Sequence, residues 1–374
     1  MLVNSYSTRQ IANFRWDPSN GVRRNKLPPG FSARGKELLQ QAEILLRAVV
    51  ASIRRESHRV ISLTLSVGIA SRSTLNGSYP RYEEFLYLNA VIDGPRSLIP
   101  FLWQTSKQQL DPLQHQASIL QCLQGESDAG ENGKDFHSHR ILDIILDPWC
   151  ASLFVHEVLG HTLEADNFLN YTKRRGKDFG DKLSEYPINV IDDPAGSCNR
   201  GGYAMDDEGT SARSVLLVAA GVLNDVLSDS VSARKLGRQS NGHGRHTGLE
   251  RPILPRMGTT VLLGGHDSLD ELIAGVEAGV LCIGNWGGGS QGDTFVLRPA
   301  YGRLIQQGVI TNRYIRRFDL IGDKFETLSR LDGVGRDTTL FTPVFGCNKA
   351  GQDDLPVAMG APHVRLREVG LRPF

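Results

Sequence analysis

This 374-residue chain has no dominant charge, few aromatics and no long apolar run, and each shortage excludes a class of function. Its 42 Lys and Arg stand against 41 Asp and Glu, a net charge of +1. There is therefore no broad basic field of the kind that attracts nucleic acid. The five cysteines, at 122, 150, 198, 282 and 347, are scattered, odd in number and form no C-x-x-C pair. That usage suits a reducing cytosol rather than a disulfide scaffold. No stretch reaches the ~20 apolar residues of a spanning helix, and the opening MLVNSYSTRQIANFRW lacks the apolar segment of a secretory leader. A cytoplasmic protein with no membrane partner is expected. There is no repeat of 20–50 residues and no low-complexity tract. Aromatics make up 7% while glycines number 40, a balance that points to many turns and β-structure. At 40% hydrophobic and 22% charged, the chain is ordinary globular material, long enough for two domains.

Taken in order, residues 1–36 are polar, basic and rich in turn signals, and read as a loose N-terminal arm. Residues 37–139 read as a truncated α/β domain with helices on a sheet. Residues 35–55 place apolar side chains at helical spacing. VISLTLSVGIA and EFLYLNAVI are β-rich, with Asn76-Gly77 between them as a hairpin signal. Residues 96–124 are again helix-like, and the polar loop 125–139 is the expected boundary. From 140 to 374 the pattern changes. RILDIILD reads as a buried strand running into a helix that opens near Pro148. Many short strands follow, separated by Gly and Asn-Gly turns, with one capped helix after Asp267 and Ser268 closed by Gly279. The fold class expected is α+β, with the second domain an antiparallel barrel or sandwich that carries a helix.

That helix holds the most informative stretch, LFVHEVLGHTLEAD at 153–166. His156, Glu157 and His161 form an H-E-x-x-x-H pattern in an apolar run. Imidazoles suit a borderline-soft metal such as zinc, and a neighbouring Glu can take a proton from water activated by the metal. The spacing is unusual. At about 100° per residue, an offset of five puts the two histidines about 140° apart on a regular helix. They can share one ion only if the helix widens into a π-bulge or breaks, and Gly160 is where a break is tolerated.

These residues resemble the TldD/PmbA family of metalloprotease-like proteins, also called modulators of DNA gyrase. The resemblance continues through DDPAGSCNRGGYAMDDEGT, VLNDVLSDSVSARKLGRQSNGHGRH, RPILPRMGTTVLLGG, GNWGGGSQGDTFVL and GCNKAGQDDLPVAMGAPHVRLREV. It covers roughly residues 141–370, in order and without large gaps, whereas the region ahead of it is shorter than the family leads one to expect. The near-zero net charge argues against reading the gyrase name as direct DNA binding.

The resemblance implies a zinc-dependent hydrolase that cleaves short or unfolded peptides, or matures a specific one. Zinc would be held by His156, His161 and a C-terminal cysteine that falls at Cys347. Without the resemblance, Cys347 is one of five, with Cys198 and the carboxylate of Glu164 as alternatives; Glu164 is better placed to orient a ligating histidine. Glu157 is the expected general base. Candidates to stabilise the oxyanion or bind substrate are Gly287, Gly288 and Gly289, with His243 and Arg245 from SNGHGRH. His137 and His139 form an H-x-H pair in a polar loop, and Asp206, Asp207 and Glu208 a carboxylate run better suited to a turn than to a shared ion. The family further implies a homodimer, or a heterodimer with a related subunit, enclosing an extended peptide. A biosynthetic amide or C–N bond hydrolase, or a non-catalytic zinc-stabilised binding subunit, are the competing functions.

Overall fold

The computed structural model describes residues 132–374, except 197–200, 249 and 344–345. Before them it describes five strands and scattered helical residues between 40 and 52 and between 121 and 130. The Asn76-Gly77 turn, residues 99–120, Cys122 and Cys198 lie outside the described residues. The chain divides into two compact units. One runs to Gly133 and includes 198–200 and 342–345; the other comprises Lys134–Ser197, Gly201–Phe341 and Gly346–Phe374.

The first unit contains a five-stranded antiparallel sheet built on the long hairpin Val60–Arg72 and Arg81–Ile92. The expected loose arm is corrected here. Thr8–Asp17 pairs along Val60–Arg72, from Thr8 opposite Ser71 to Trp16 opposite Leu63, and Gly21–Arg24 pairs back on it. The period-two run of Ala12, Phe14 and Trp16 is a strand signal that the surrounding charges and turn residues obscure. Within the stretch read as helix from 35 to 55, the described residues are helical. Part of the expected boundary loop, between 125 and 132, is helical too.

The second unit is mixed α+β with two large sheets, one of ten strands and one of six. Both are open, so the expected barrel does not form among the described residues. In the ten-stranded sheet Arg140–Leu146 is central, parallel to Ala278–Ile283 on one side and antiparallel to Val364–Pro373 on the other. Its inner half, Ile144 to Leu146, is fully buried, as its apolar run requires.

The chain leaves that strand directly into the motif helix, Pro148–Val155. Asp147 caps it, accepting from Cys150 N–H at 2.7 Å and from Gly284 N–H at 2.9 Å, and Pro148 sits where no backbone donor is needed. Every residue from Trp149 to Val155 is buried. A helix apolar on all sides has to be enclosed, and this one packs on strands of both sheets, Ala358–Ala361 and Thr259–Leu262 in one and Thr294–Leu297 in the other. Phe154 meets Phe295 edge to face at 5.5 Å. Truncating Phe154 to Ala would cost about 3–5 kcal/mol. The capped helix after Ser268 is present as Leu269–Ala274, with a capping box from Ser268 and Glu271, but closes at Gly275 rather than Gly279.

Candidate metal centre and active site

Beyond Val155 the helix does not break. It widens into one π turn, His156–Gly160, with His161 N–H donating to His156 O at 3.0 Å across five residues. A π turn near ~4.4 residues per turn brings an offset of five back towards one face. The two imidazole rings stand 5.0 Å apart and nearly perpendicular. Gly160 serves a purpose other than breaking the helix: a Cβ there would overlap Met257 Sδ. A last helical hydrogen bond joins Leu163 N–H to Leu159 O, and Glu164 is extended.

Cys347 arrives from a hairpin, Cys347–Lys349 with Gln352–Leu355. Its two-residue turn uses left-handed Ala350 and Gly351, at φ 49° and 78°. Gly346 passes so close to the backbone of Leu355 that no side chain fits. Arg256 fixes the hairpin to the core, donating to Cys347 O at 2.8 Å and to Gln352 Oε1 at 2.6 Å.

One ligand atom from each of His156, His161 and Cys347 lies within 4.8 Å of the others, the one such three-residue group among the described residues. Tetrahedral zinc, with Zn–S near ~2.3 Å and Zn–N near ~2.0 Å, separates its donors by roughly 3.5 Å, so the set is close to the required span. Cys347 Sγ is 3.1 Å from His161 Nε2, while His161 Nδ1 bonds Glu164 Oε2 at 2.9 Å. His156 Nδ1 is buried with no hydrogen-bond partner among the described residues. Two nitrogens and a sulfur with an unmet buried donor fit a borderline-soft ion.

The electrostatics favour a thiolate. Burial pushes the Cys347 thiol up, but His161 and His156 beside it outweigh burial and hold it well below the usual cysteine value. Burial likewise opposes charge on His161, yet Cys347 and Glu164 raise it well above an ordinary histidine. Burial raises Glu164, and Lys349, His161 and Arg256 more than reverse it, keeping it well below the usual carboxylate range. Lys349 Nζ lies 3.0 Å from Glu164 and 2.6 Å from Asp166, so these buried charges are paired as burial demands. Glu157, 7% exposed, has no hydrogen-bond partner among the described residues. Its carboxylate is uncommitted.

The other residues singled out from the sequence are placed differently. Gly288–Gln291 forms the edge strand of the large sheet and packs beside the π turn; Gly287 precedes it at φ 121°. His243 and Arg245, expected to face a substrate, are instead core residues. His243 Nδ1 bonds Asn241 and Nε2 bonds Asp192, and Arg245 donates to Met257 O and Pro356 O. Their basic segment is a brace because His243 and Arg245 reach Asp192, Met257 and Pro356 from other parts of the chain. Asp206 accepts from the N–H groups of Glu208, Thr210 and Gly244, a turn role. His137 and His139 are exposed. Sequence reasoning missed Arg256 as a clamp on Cys347, Lys349 as the counter-ion of Glu164, and a buried lysine, Lys324; no spacing rule marks them, since each reaches the site through tertiary packing.

The family described as PmbA/TldA metallopeptidase C-terminal domain matches residues 139–372. A metalloprotease of Methanothermobacter thermautotrophicus is 38% identical over 229 residues, 60% of this chain and 49% of the relative. A zinc metalloprotease TldD homolog of Saccharolobus solfataricus is 29% identical over 230 residues, 60% of this chain and 50% of its own length. The chain thus spans about half the length of the curated relatives it matches. In fold, it resembles the crystal structure of TldE from Thermococcus kodakarensis, with a TM-score of 0.70 and 14% identity over 98% of this chain and 96% of that one. With its second unit matched almost from end to end, this chain belongs to the TldD/PmbA family of metallopeptidase-like proteins.

Proposed function

We propose that this chain is a zinc-dependent hydrolase that cleaves peptide bonds in short or unfolded peptides. The observation that carries the reading is the convergence of His156, His161 and Cys347 within 4.8 Å, adjoining a Glu157 carboxylate with no hydrogen-bond partner among the described residues. The relatives' names, metalloprotease and in one case zinc metalloprotease, support the reaction class and the metal. Held by these three residues, zinc would supply Lewis acidity to polarise the scissile carbonyl and make water a stronger acid.

The chain's own groups do the rest. Glu164 orients His161 through Nδ1, and Arg256 holds the Cys347 backbone. As water oxygen adds to the carbonyl carbon, the π pair moves onto the carbonyl oxygen and Glu157 takes the water proton. When the C–N bond breaks, its electron pair leaves with nitrogen, which receives that proton from Glu157. The oxyanion pair re-forms C=O, and the products are a carboxylic acid, which then ionises, and an amine. The edge strand Gly288–Gln291 offers backbone groups to an extended peptide, a mode in which sequence matters little, and the N–H groups of Gly287 to Gly289 remain candidates for the oxyanion. A homodimer, or a heterodimer with a related subunit, would enclose the peptide, and a reducing cytoplasm would preserve Cys347.

The test is turnover of an unstructured casein fragment by the purified chain, with its related subunit where one is required. Loss of cleavage with a chelator and recovery with zinc are expected. Cleavage that survives full metal removal would overturn the proposal, as would no cleavage by protein carrying stoichiometric zinc.

A further inference from the structure

Lys324 is 5% exposed and begins the short helix Lys324–Ser329 at the end of strand Phe318–Asp323. Buried lysines are rare unless paired, yet its ammonium makes no ion pair or hydrogen bond among the described residues. Its backbone N–H donates to Asp293 O at 2.8 Å, at the tip of the hairpin formed by Gly288–Gln291 and Thr294–Leu297. That hairpin lies on the metal motif: Gly288–Gln291 packs beside the π turn, and Phe295 meets Phe154 of the motif helix.

Burial holds the Lys324 ammonium below the ordinary lysine value, and four carboxylates oppose burial, Glu157 first, then Asp293, Glu164 and Asp323. Arg175 already neutralises two of them, at 3.3 Å from Asp293 and 2.9 Å from Asp323, and Asp323 also caps the short helix. Lys349 and Arg256 serve Glu164. Glu157, uncommitted itself, is left as the carboxylate that Lys324 addresses. A helix cap and a surface ion pair would account for an exposed lysine here; neither accounts for a buried one whose ammonium has no partner among the described residues.

We propose that Lys324 is a catalytic residue whose ammonium donates to the oxyanion that develops on the scissile carbonyl oxygen. This rests on the hydrolase reading above. His243 and Arg245 are consumed in the core, so Lys324 fills the cationic role assigned to them from the sequence. A fixed donor aimed at developing charge in a dry site is worth about 10²–10³ in rate.

The experiment compares two hexa-alanine ligands on zinc-loaded protein. One carries an anionic phosphinate in place of the scissile amide and the other a neutral hydroxyethylene. In Lys324→Met the phosphinate should bind about 100-fold more weakly, the hydroxyethylene within about threefold of wild type, and zinc content and melting should hold. Lys324→Arg should recover most of the phosphinate affinity. Equal weakening of both ligands, or none, would overturn the role of Lys324 while leaving the hydrolase reading intact. Failure of the wild type to bind either ligand would instead remove the hydrolase reading and this proposal together. Should Lys324→Met not fold, Lys324→Gln carries the same comparison.

Discussion

His156 and His243 are both buried in the second unit, at 3% and 0% exposure, yet they are bonded in opposite ways. Both ring nitrogens of His243 meet oxygen, Asn241 Oδ1 at 3.0 Å and Asp192 Oδ1 at 3.2 Å. Asp192 in turn accepts from Gly258 N–H, Thr259 N–H and Thr260 Oγ1. His156, also buried, leaves Nδ1 without a partner among the described residues. Leaving a buried donor or acceptor unmet costs about 1–3 kcal/mol. A fold that satisfies one histidine fully and the other incompletely has spent stability at the second, and unmet bonding capacity beside a thiolate is what an ion would fill. The first cluster braces the fold; the second is open to chemistry.

The largest expected contrast is in metal. Cys347→Ser should take zinc from near one per chain to near zero, because a neutral hydroxyl replaces the thiolate ligand. His243→Asn should leave zinc content per folded molecule unchanged. Elemental analysis of the two purified variants decides it, and full zinc in Cys347→Ser would erase the distinction between the clusters.

Next comes rate. Glu157→Gln should retain zinc and melting temperature while hydrolysis falls by about 10²–10⁴-fold, the usual loss for a positioned proton carrier. Turnover near normal with full zinc would take Glu157 out of the mechanism and leave the open cluster a binding site at most.

Stability should move the other way. Asp192→Ala strands two backbone N–H groups, the Thr260 hydroxyl and His243 in the core, and should lower unfolding free energy by about 3–5 kcal/mol. Denaturant titration of the folded fraction measures it. A loss below about 1 kcal/mol would mean that His243 and its neighbours are not the brace their bonding indicates.

How much of this could be read beforehand follows from which interactions are local. H-E-x-x-x-H is local, and its five-residue offset predicts a helix widened or broken between the histidines, of which the structure has the widened turn at His156–Gly160. The strand at Arg140–Leu146 and the Pro148 helix start are local too. Cys347 lies 186 residues from His161, and only the family resemblance singled it out from the other cysteines. His243 and Arg245 were misread because a charged Gly-rich segment looks exposed until its partners, Asp192 and the carbonyls of Met257 and Pro356, are brought in from elsewhere. The N-terminal strands were misread for the reverse reason, since local turn residues and charges outweighed a short period-two signal. The open sheets replaced a barrel because strand count does not determine whether edges meet.

The smallest effect separates the two regions by the sign of their response to acid. Asp147, at the start of the motif helix, is pushed up from 3.8 to about 6, because burial outweighs the N–H groups of Cys150 and Gly284 that it accepts. The folded state therefore holds this proton more tightly than the unfolded chain. Its contribution to stability is full below about pH 4 and is lost as pH rises through about 6. Burial also opposes charge on Asp192, but His243, Thr260 and Gly258 reverse it and hold the carboxyl below its ordinary value. Its contribution is present above about pH 4 and is lost as pH falls through the folded value. Asp147→Asn should therefore flatten the decline in stability between pH 4 and 6.5, by about 2–3 kcal/mol at most for a shift of this size. Asp192→Asn should instead flatten the loss on acidification below pH 4. Unfolding free energies of the two variants and the wild type from pH 3 to 7 provide the check. Parallel curves for Asp147→Asn and wild type would mean that the helix cap is already ionised at pH 4 and that the open cluster begins on a charge as well satisfied as the one in the brace.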